Sequence, residues 1–295
     1  IQLNIVRLFN IDPSFYESLA GNPFMRNAYQ DHFDFGLGGT MYYTTNTDVT
    51  PHSTYHYFRF QLNSAGNLLS LFNPLMSKNA DGSRMVWNTP YSQYVRGEFT
   101  AGKTWVFGKN ERQSVATRFL AGAGYAYGNS GALPFEQHFY AGGANSLRGW
   151  QARSVGPGLS VRDTSFVIPN QTGDMKLEAN AEYRFGLFWK VNGALFLDAG
   201  NVWTLNDTRH DSGSVSADEV AEAKPGKLTA DNFIKGIALD WGAGLRLDLN
   251  FILVRLDLGI VLRDPSRDAG DRWAPPSRWF KRDGFSVHFG VGYPF

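Results

Sequence analysis

The chain has 295 residues, a net charge of +1 and 43% hydrophobic residues. This argues against a disordered chain and gives no global reason to expect a nucleic-acid partner. Charged residues make up only 19%, below the usual share of about a quarter, while Gly reaches 32, and that balance points to strands and turns. With no Cys, thiol catalysis, zinc–thiolate sites, iron–sulfur clusters and a disulfide-stapled fold are excluded.

No run reaches the roughly 18 uninterrupted apolar residues of a membrane helix. The best, residues 251–262, is broken by Arg255 and Asp257. The chain opens on IQLNIVRLFN with no signal peptide in view, as a mature or truncated chain would.

The dominant pattern is period-two alternation. In chain order, weaker alternation occupies residues 1–11, 32–44, 55–63, 91–106 and 112–127. From Asp174 the pattern is clean. Asp174, Lys176, Glu178, Asn180, Glu182 and Arg184 alternate with Met175, Leu177, Ala179, Ala181, Tyr183 and Phe185. A helix would mix these two sets, whereas a strand separates them onto two faces. Alternation continues over 190–202, 237–249 and 252–262, and ends with Phe285, Val287, Phe289, Val291, Tyr293 and Phe295.

These ten strands are mostly longer than those of ordinary soluble sandwiches. Their connections alternate strictly. Those at 107–111, 186–189 and 250 are very short and 45–54 is modest; 12–31, 64–90, 128–173, 203–235 and 264–283 are long. An all-β, antiparallel, up-and-down transmembrane barrel of the outer-membrane type has this layout, with tight turns at one end and long external loops at the other. Its greasy faces meet lipid and its polar faces line a lumen. Trp105, Phe107, Tyr125, Tyr127, Trp189, Trp203, Tyr293 and Phe295 are placed near strand ends, as interfacial girdles require.

Three motifs carry a resemblance. Residues 139–158 read FYAGGANSLRGWQARSVGPG, residues 196–203 read FLDAGNVW, and the chain ends HFGVGYPF. In this order, with NAEYRF at 180–185 between the first two, they resemble the C-terminal barrel portion of the outer-membrane assembly-factor superfamily that includes BamA and TamA. The wording GGANSLRGW followed by GPG is most similar to the TamL-type branch. Arg148, Gly149 and Trp150 match the tip of the family's sixth extracellular loop, here residues 128–173. Phe196, Asp198 and Gly200 match its strand motif. His288, Gly290, Tyr293 and Phe295 match an outer-membrane sorting signal.

The resemblance implies a barrel of sixteen strands behind periplasmic repeats, of which residues 1–295 supply about the last ten. It implies that loop six folds into the lumen and that Arg148 meets carboxylates of the following strands. Glu182 and Asp198 have the inward parity to serve, and an Arg fork bridges carboxylates well. On the last strand, Gly290 and Gly292 lower strand stability and Pro294 cannot donate a ladder hydrogen bond. The expected seam with the first strand is therefore weak. Arg96, Glu98, Arg118, Asp240, Arg246, Asp248, Arg255 and Asp257 share the inward parity.

The implied work is insertion or assembly of outer-membrane proteins, or transport of envelope components, in the outer membrane. The implied partners are the lipid bilayer, nascent outer-membrane proteins or phospholipid, and periplasmic TamB-like or assembly-machinery subunits, with no nucleic acid. The alternatives are a two-partner-type polypeptide secretion transporter and, from another class, a barrel enzyme or passive pore. No Gly-x-Ser-x-Gly elbow is present, and no enzyme or cofactor is expected. The six His show no metal-ligand spacing beyond His52 and His56, so no metal is expected either, and Asp218, Glu219 and Glu222 read as a solvated loop face.

Overall fold

The computed structural model describes residues 2–6, 31–46, 53–80, 82–108, 112–161, 171–205, 224–249 and 251–295. Ten strands form one antiparallel sheet in chain order: β1 (Gln2–Val6), β2 (His32–Thr44), β3 (Tyr55–Ala65), β6 (Tyr94–Phe107), β7 (Gln113–Ala126), β8 (Met175–Phe188), β9 (Val191–Trp203), β10 (Ala238–Asp248), β11 (Leu253–Arg263) and β12 (Phe285–Val291). The long β3–β6 connection also contains a short helix, α1 (Asn67–Ser70), and a two-stranded hairpin, β4 (Met85–Val86) with β5 (Thr89–Pro90). A second helix, α2 (Ala230–Lys235), precedes β10 and is capped by the Thr229 side chain, which accepts from the Asn232 N–H at 3.1 Å.

Strands β2, β3 and β6–β11 have 11 to 14 residues, and about 9–11 suffice to cross a bilayer. Among the described residues no helix is long and apolar enough to cross a membrane. Crossing falls to the strands, where each backbone group can be paired between neighbours.

The register puts two chemically opposite faces on the sheet. Asp240 lies opposite Asp198, Asn180 opposite Asp198 on the other side, and Arg118 opposite Asn180. These residues share the concave face. Leu197 lies opposite Ala181 and Trp241 on the convex face. The burial is inverted relative to a soluble protein. Glu182, Asp198, Asp240 and Asp257 are fully buried, while Leu197, Leu245 and Phe289 are 49%, 52% and 69% exposed. An apolar belt of this extent needs an apolar surrounding, and lipid provides it.

The structure differs from the expected elements in three places. β8 continues to Phe188, with a register irregularity between Gly186 and Phe188. β12 ends at Val291 rather than Phe295, because Gly292 takes a positive φ of 82° and turns the chain. Tyr293 and Phe295 therefore leave the outer face, and their rings lie against Arg184 and Arg118 on the concave side. Trp203, expected in a girdle, is fully buried and meets Phe233 of α2 at 5.5 Å between ring centroids. Long loops cover the end of β9 that carries it. Trp105, Phe107, Tyr125 and Trp189 are exposed. His52, His210, Asp218, Glu219 and Glu222 lie outside the described residues.

Candidate functional site: a loop seated in the lumen

The connection from β7 to β8 does not extend away from the sheet. It turns back into the concave face. Phe139 bridges Gly173 and Ala141 bridges Val155, so the segment closes on itself. Phe139, Ala141, Leu147, Trp150 and Val155 then pack with Val202, Ala238 and Val261 from the wall in one apolar cluster. Burial of that cluster seats the loop, and the polar contacts set its position.

Gly142 and Gly143 have φ of 97° and 100°, a region open to Gly and strained for other residues. The turn lets the Gly143 N–H donate to the carbonyls of Leu147 and Trp150 at 3.2 and 2.9 Å. It presents Arg148 at its tip. Close approach needs small residues on both sides. A Cβ on Gly149 would fall 2.6 Å from the Asp240 Cβ, and one on Gly259 would fall 2.1 Å from the Arg148 carbonyl oxygen.

Arg148 is fully buried. Its Nε and Nη2 donate to the two carboxylate oxygens of Asp198 at 2.8 and 3.0 Å, and its backbone N–H adds a bond to Asp198 at 3.2 Å. Its Nη1 donates to Glu182. The guanidinium lies 3.6 Å from the centre of the Phe196 ring. Phe196, Asp198 and Gly200 alternate along β9, so all three face inward. Phe196 supplies the floor and Asp198 the acceptor. Gly200 makes room, since a Cβ there would fall 2.9 Å from the Glu178 side chain.

The site extends further than Arg148, Glu182 and Asp198. Glu182 also accepts from Arg184 at 2.8 Å and Arg246 at 3.0 Å. Arg246 and Arg255 both donate to Asp257. Arg255 donates to the Ala144 carbonyl at 2.8 Å and to the Asn145 side chain. On the other flank, Arg118 donates to the Asn145 carbonyl at 2.9 Å and Ser146 donates to Glu178. Asn180 donates to the Ser146 carbonyl and to Asp198 at 3.0 and 2.9 Å. The loop tip is thus gripped from β7, β8, β9 and β11. Inward parity marks Glu178, Asn180 and Arg184 in the sequence. Their meeting with Ser146 and Asn145 has no sequence signal, because it depends on where the loop folds.

On β12, His288 Nε2 lies 3.1 Å from the Arg148 carbonyl oxygen. Gly290 faces the Arg255 guanidinium, where a Cβ would fall 2.6 Å from Nε. Beyond β12, Tyr293 lies 4.1 Å from the Arg184 guanidinium and Phe295 lies 5.1 Å from that of Arg118. Burial raises the Tyr293 hydroxyl pKa above its ordinary value, with Arg184 pulling it down. Phe295→Ala should lower the urea midpoint in detergent by an amount equivalent to about 1–2 kcal/mol, with an unchanged slope. No shift in midpoint would show that this ring is not a support of the network.

A meander of membrane-length strands, greasy outside and charged inside, with a long loop seated on an internal arginine, defines an outer-membrane-type barrel domain with an occupied lumen. The model of the Omp85 superfamily domain matches residues 6–295, and the chain belongs to that superfamily. Its members are integral outer-membrane β-barrel proteins, and this domain resides in that membrane. Over 123 residues the chain is 30% identical to the outer membrane protein assembly factor BamA of Neisseria meningitidis serogroup B, covering 40% of this chain and 15% of the relative. It is also similar to the crystal structure of BamA from Haemophilus ducreyi lacking POTRA domains 1–3, with 16% identity and a TM-score of 0.45, covering 90% of this chain and 56% of that one.

Proposed function

We propose that the domain assists the insertion or assembly of outer-membrane proteins, or the passage of envelope components, at a weak seam between its first and last strands. The observation that carries this reading is the early end of β12. It has seven residues, fewer than the roughly 9–11 of a membrane-crossing strand, and the residues after it, Tyr293 and Phe295, turn inward onto Arg184 and Arg118. A strand that stops short leaves backbone donors and acceptors open to an incoming strand, which is β-augmentation within a membrane. β12 is an edge of the described ten-stranded sheet, where such a strand could add.

The seated loop bears on the alternatives. With Arg148 and Trp150 buried against the wall, the described lumen is occupied, which weakens the case for a passive pore. The GGANSLRGW wording supports a TamL-type branch, and a periplasmic TamB-like or assembly-machinery subunit is the partner this implies. No enzymatic role is proposed; the charged cluster is engaged in holding the loop.

The test is photo-crosslinking in cells, from a reactive residue at Phe289 or Val291 of the full-length protein, with Leu245 on the middle of the outer face as control. Capture of many different outer-membrane barrels from the β12 positions alone is expected. Recovery of only an elongated periplasmic protein or phospholipid would overturn client insertion at the seam. Capture equal to that from Leu245 would overturn the seam itself.

A further inference from the structure

A second cluster lies at the head of β2, apart from the Arg148 network. His32 and Asp34 are two residues apart on one strand and face the same side. Glu136 reaches them from the 3₁₀ turn Phe135–Gln137 of the seated loop. His32 Nε2 is 2.9 Å from Glu136 Oε1, and one ligand-type atom from each of the three residues lies within 4.8 Å of the others. Asp34 is 2% exposed, and among the described residues no donor meets either carboxylate oxygen in good hydrogen-bond geometry. The Ser92 and Tyr94 hydroxyls approach it, His32 favours its charge and Glu136 opposes it. A buried carboxylate without a well-placed donor is costly unless a cation satisfies it.

We propose that His32 Nε2, an Asp34 oxygen and a Glu136 oxygen form a binding site for a first-row divalent cation of the zinc type. One imidazole and two carboxylates suit such an ion better than calcium or magnesium, which favour all-oxygen shells. The two carboxylates balance its charge. Ligands at about 2.0–2.2 Å from a common ion stand within about 4.4 Å of one another, so small side-chain adjustments close the shell. The Glu136 side chain is 39% exposed, which leaves an entry path and room for water to complete the coordination. Sequence spacing could not reveal the site, because Glu136 is 104 residues from His32.

The ion ties the seated loop to β2, the neighbour of edge strand β1. Arg148 ties the same loop to β8 and β9. A bound ion therefore braces the lumen between the two halves of the sheet, independently of any assembly role.

The test uses the full chain, folded in detergent and stripped with a chelator, with zinc as the probe. Bound metal is counted by mass spectrometry after dialysis, affinity is read by calorimetry, and folding is checked by heat-modified gel migration. The parent should bind about one zinc per chain and melt at a higher temperature with it. Asp34→Asn and Glu136→Gln should each lower the affinity by more than the roughly tenfold that disturbing a ligand's outer partners costs. Without zinc, Asp34→Asn should be at least as stable as the parent, since it removes an unsatisfied charge. Absence of saturable binding, or binding that survives both substitutions, overturns the proposal. If Asp34→Asn does not fold, Glu136→Gln carries the same test from the loop.

Discussion

Arg148→Ala should detach the loop tip from the wall and cost about 3–5 kcal/mol of barrel stability, the usual penalty for breaking a buried ion pair. The loss is lopsided. Glu182 keeps Arg184 and Arg246. Asp198 loses both guanidinium bonds and keeps Asn180. Asp240, directly opposite Asp198 in the ladder, is fully buried as well and brings no cation. Asp198 is then left a buried carboxylate that has lost its cation. Arg148→Lys should recover little, because an ammonium cannot reach both acceptors as the planar fork does. Urea unfolding in detergent reads the cost, and limited proteolysis across residues 151–161 reads the release. In a double-mutant cycle with Asp198→Asn the two changes should be far from additive. Additive effects would mean that the two side chains do not act as a pair.

Gly259→Val should dislodge the same loop with every charge retained. A Cβ at this position would sit 2.1 Å from the Arg148 carbonyl oxygen and 2.6 Å from the Gly149 nitrogen. Both contacts are backbone atoms, so the neighbour cannot rotate away. Overpacking of this kind costs about 1–3 kcal/mol or more. The loop should become protease-sensitive, as in Arg148→Ala, while a substitution such as Gly39→Val, where a Cβ meets nothing within 4 Å, should leave it protected. If Gly259→Val keeps the loop protected and the midpoint unchanged, the tip is not pressed against β11. Comparing the two substitutions separates electrostatic from steric seating. Agreement between them would show that the loop has one tightly defined seat.

Period-two alternation made the ten strands legible because each has one wet and one greasy face. The boundaries were closest at His32–Thr44, Ala238–Asp248 and Leu253–Arg263, each within a residue of its alternating segment, while β8 ran on to Phe188. It misplaced the end of the last strand. Tyr293 and Phe295 continue the apolar alternation, yet Gly292 reverses the backbone and aims both rings at arginines. Trp203 was placed in a girdle because proximity to a strand end says nothing about which loop covers it.

Strand parity alone put Glu182, Asp198, Arg246, Arg255 and Asp257 on the inner face, since alternation is a local property of each strand. Which of them touch was decided by register and by the path of the β7–β8 loop. Ion pairing between Arg148 and Asp198 spans 50 residues, and that between Arg246 and Glu182 spans 64. His32, Asp34 and Glu136 converge by the same route. Contacts of this range depend on the whole sheet curving around a folded loop. Strands, their two faces and the residues available to the lumen follow from local alternation; the partners follow from the folded chain, because pairing of distant charges is a consequence of packing rather than of local backbone preference.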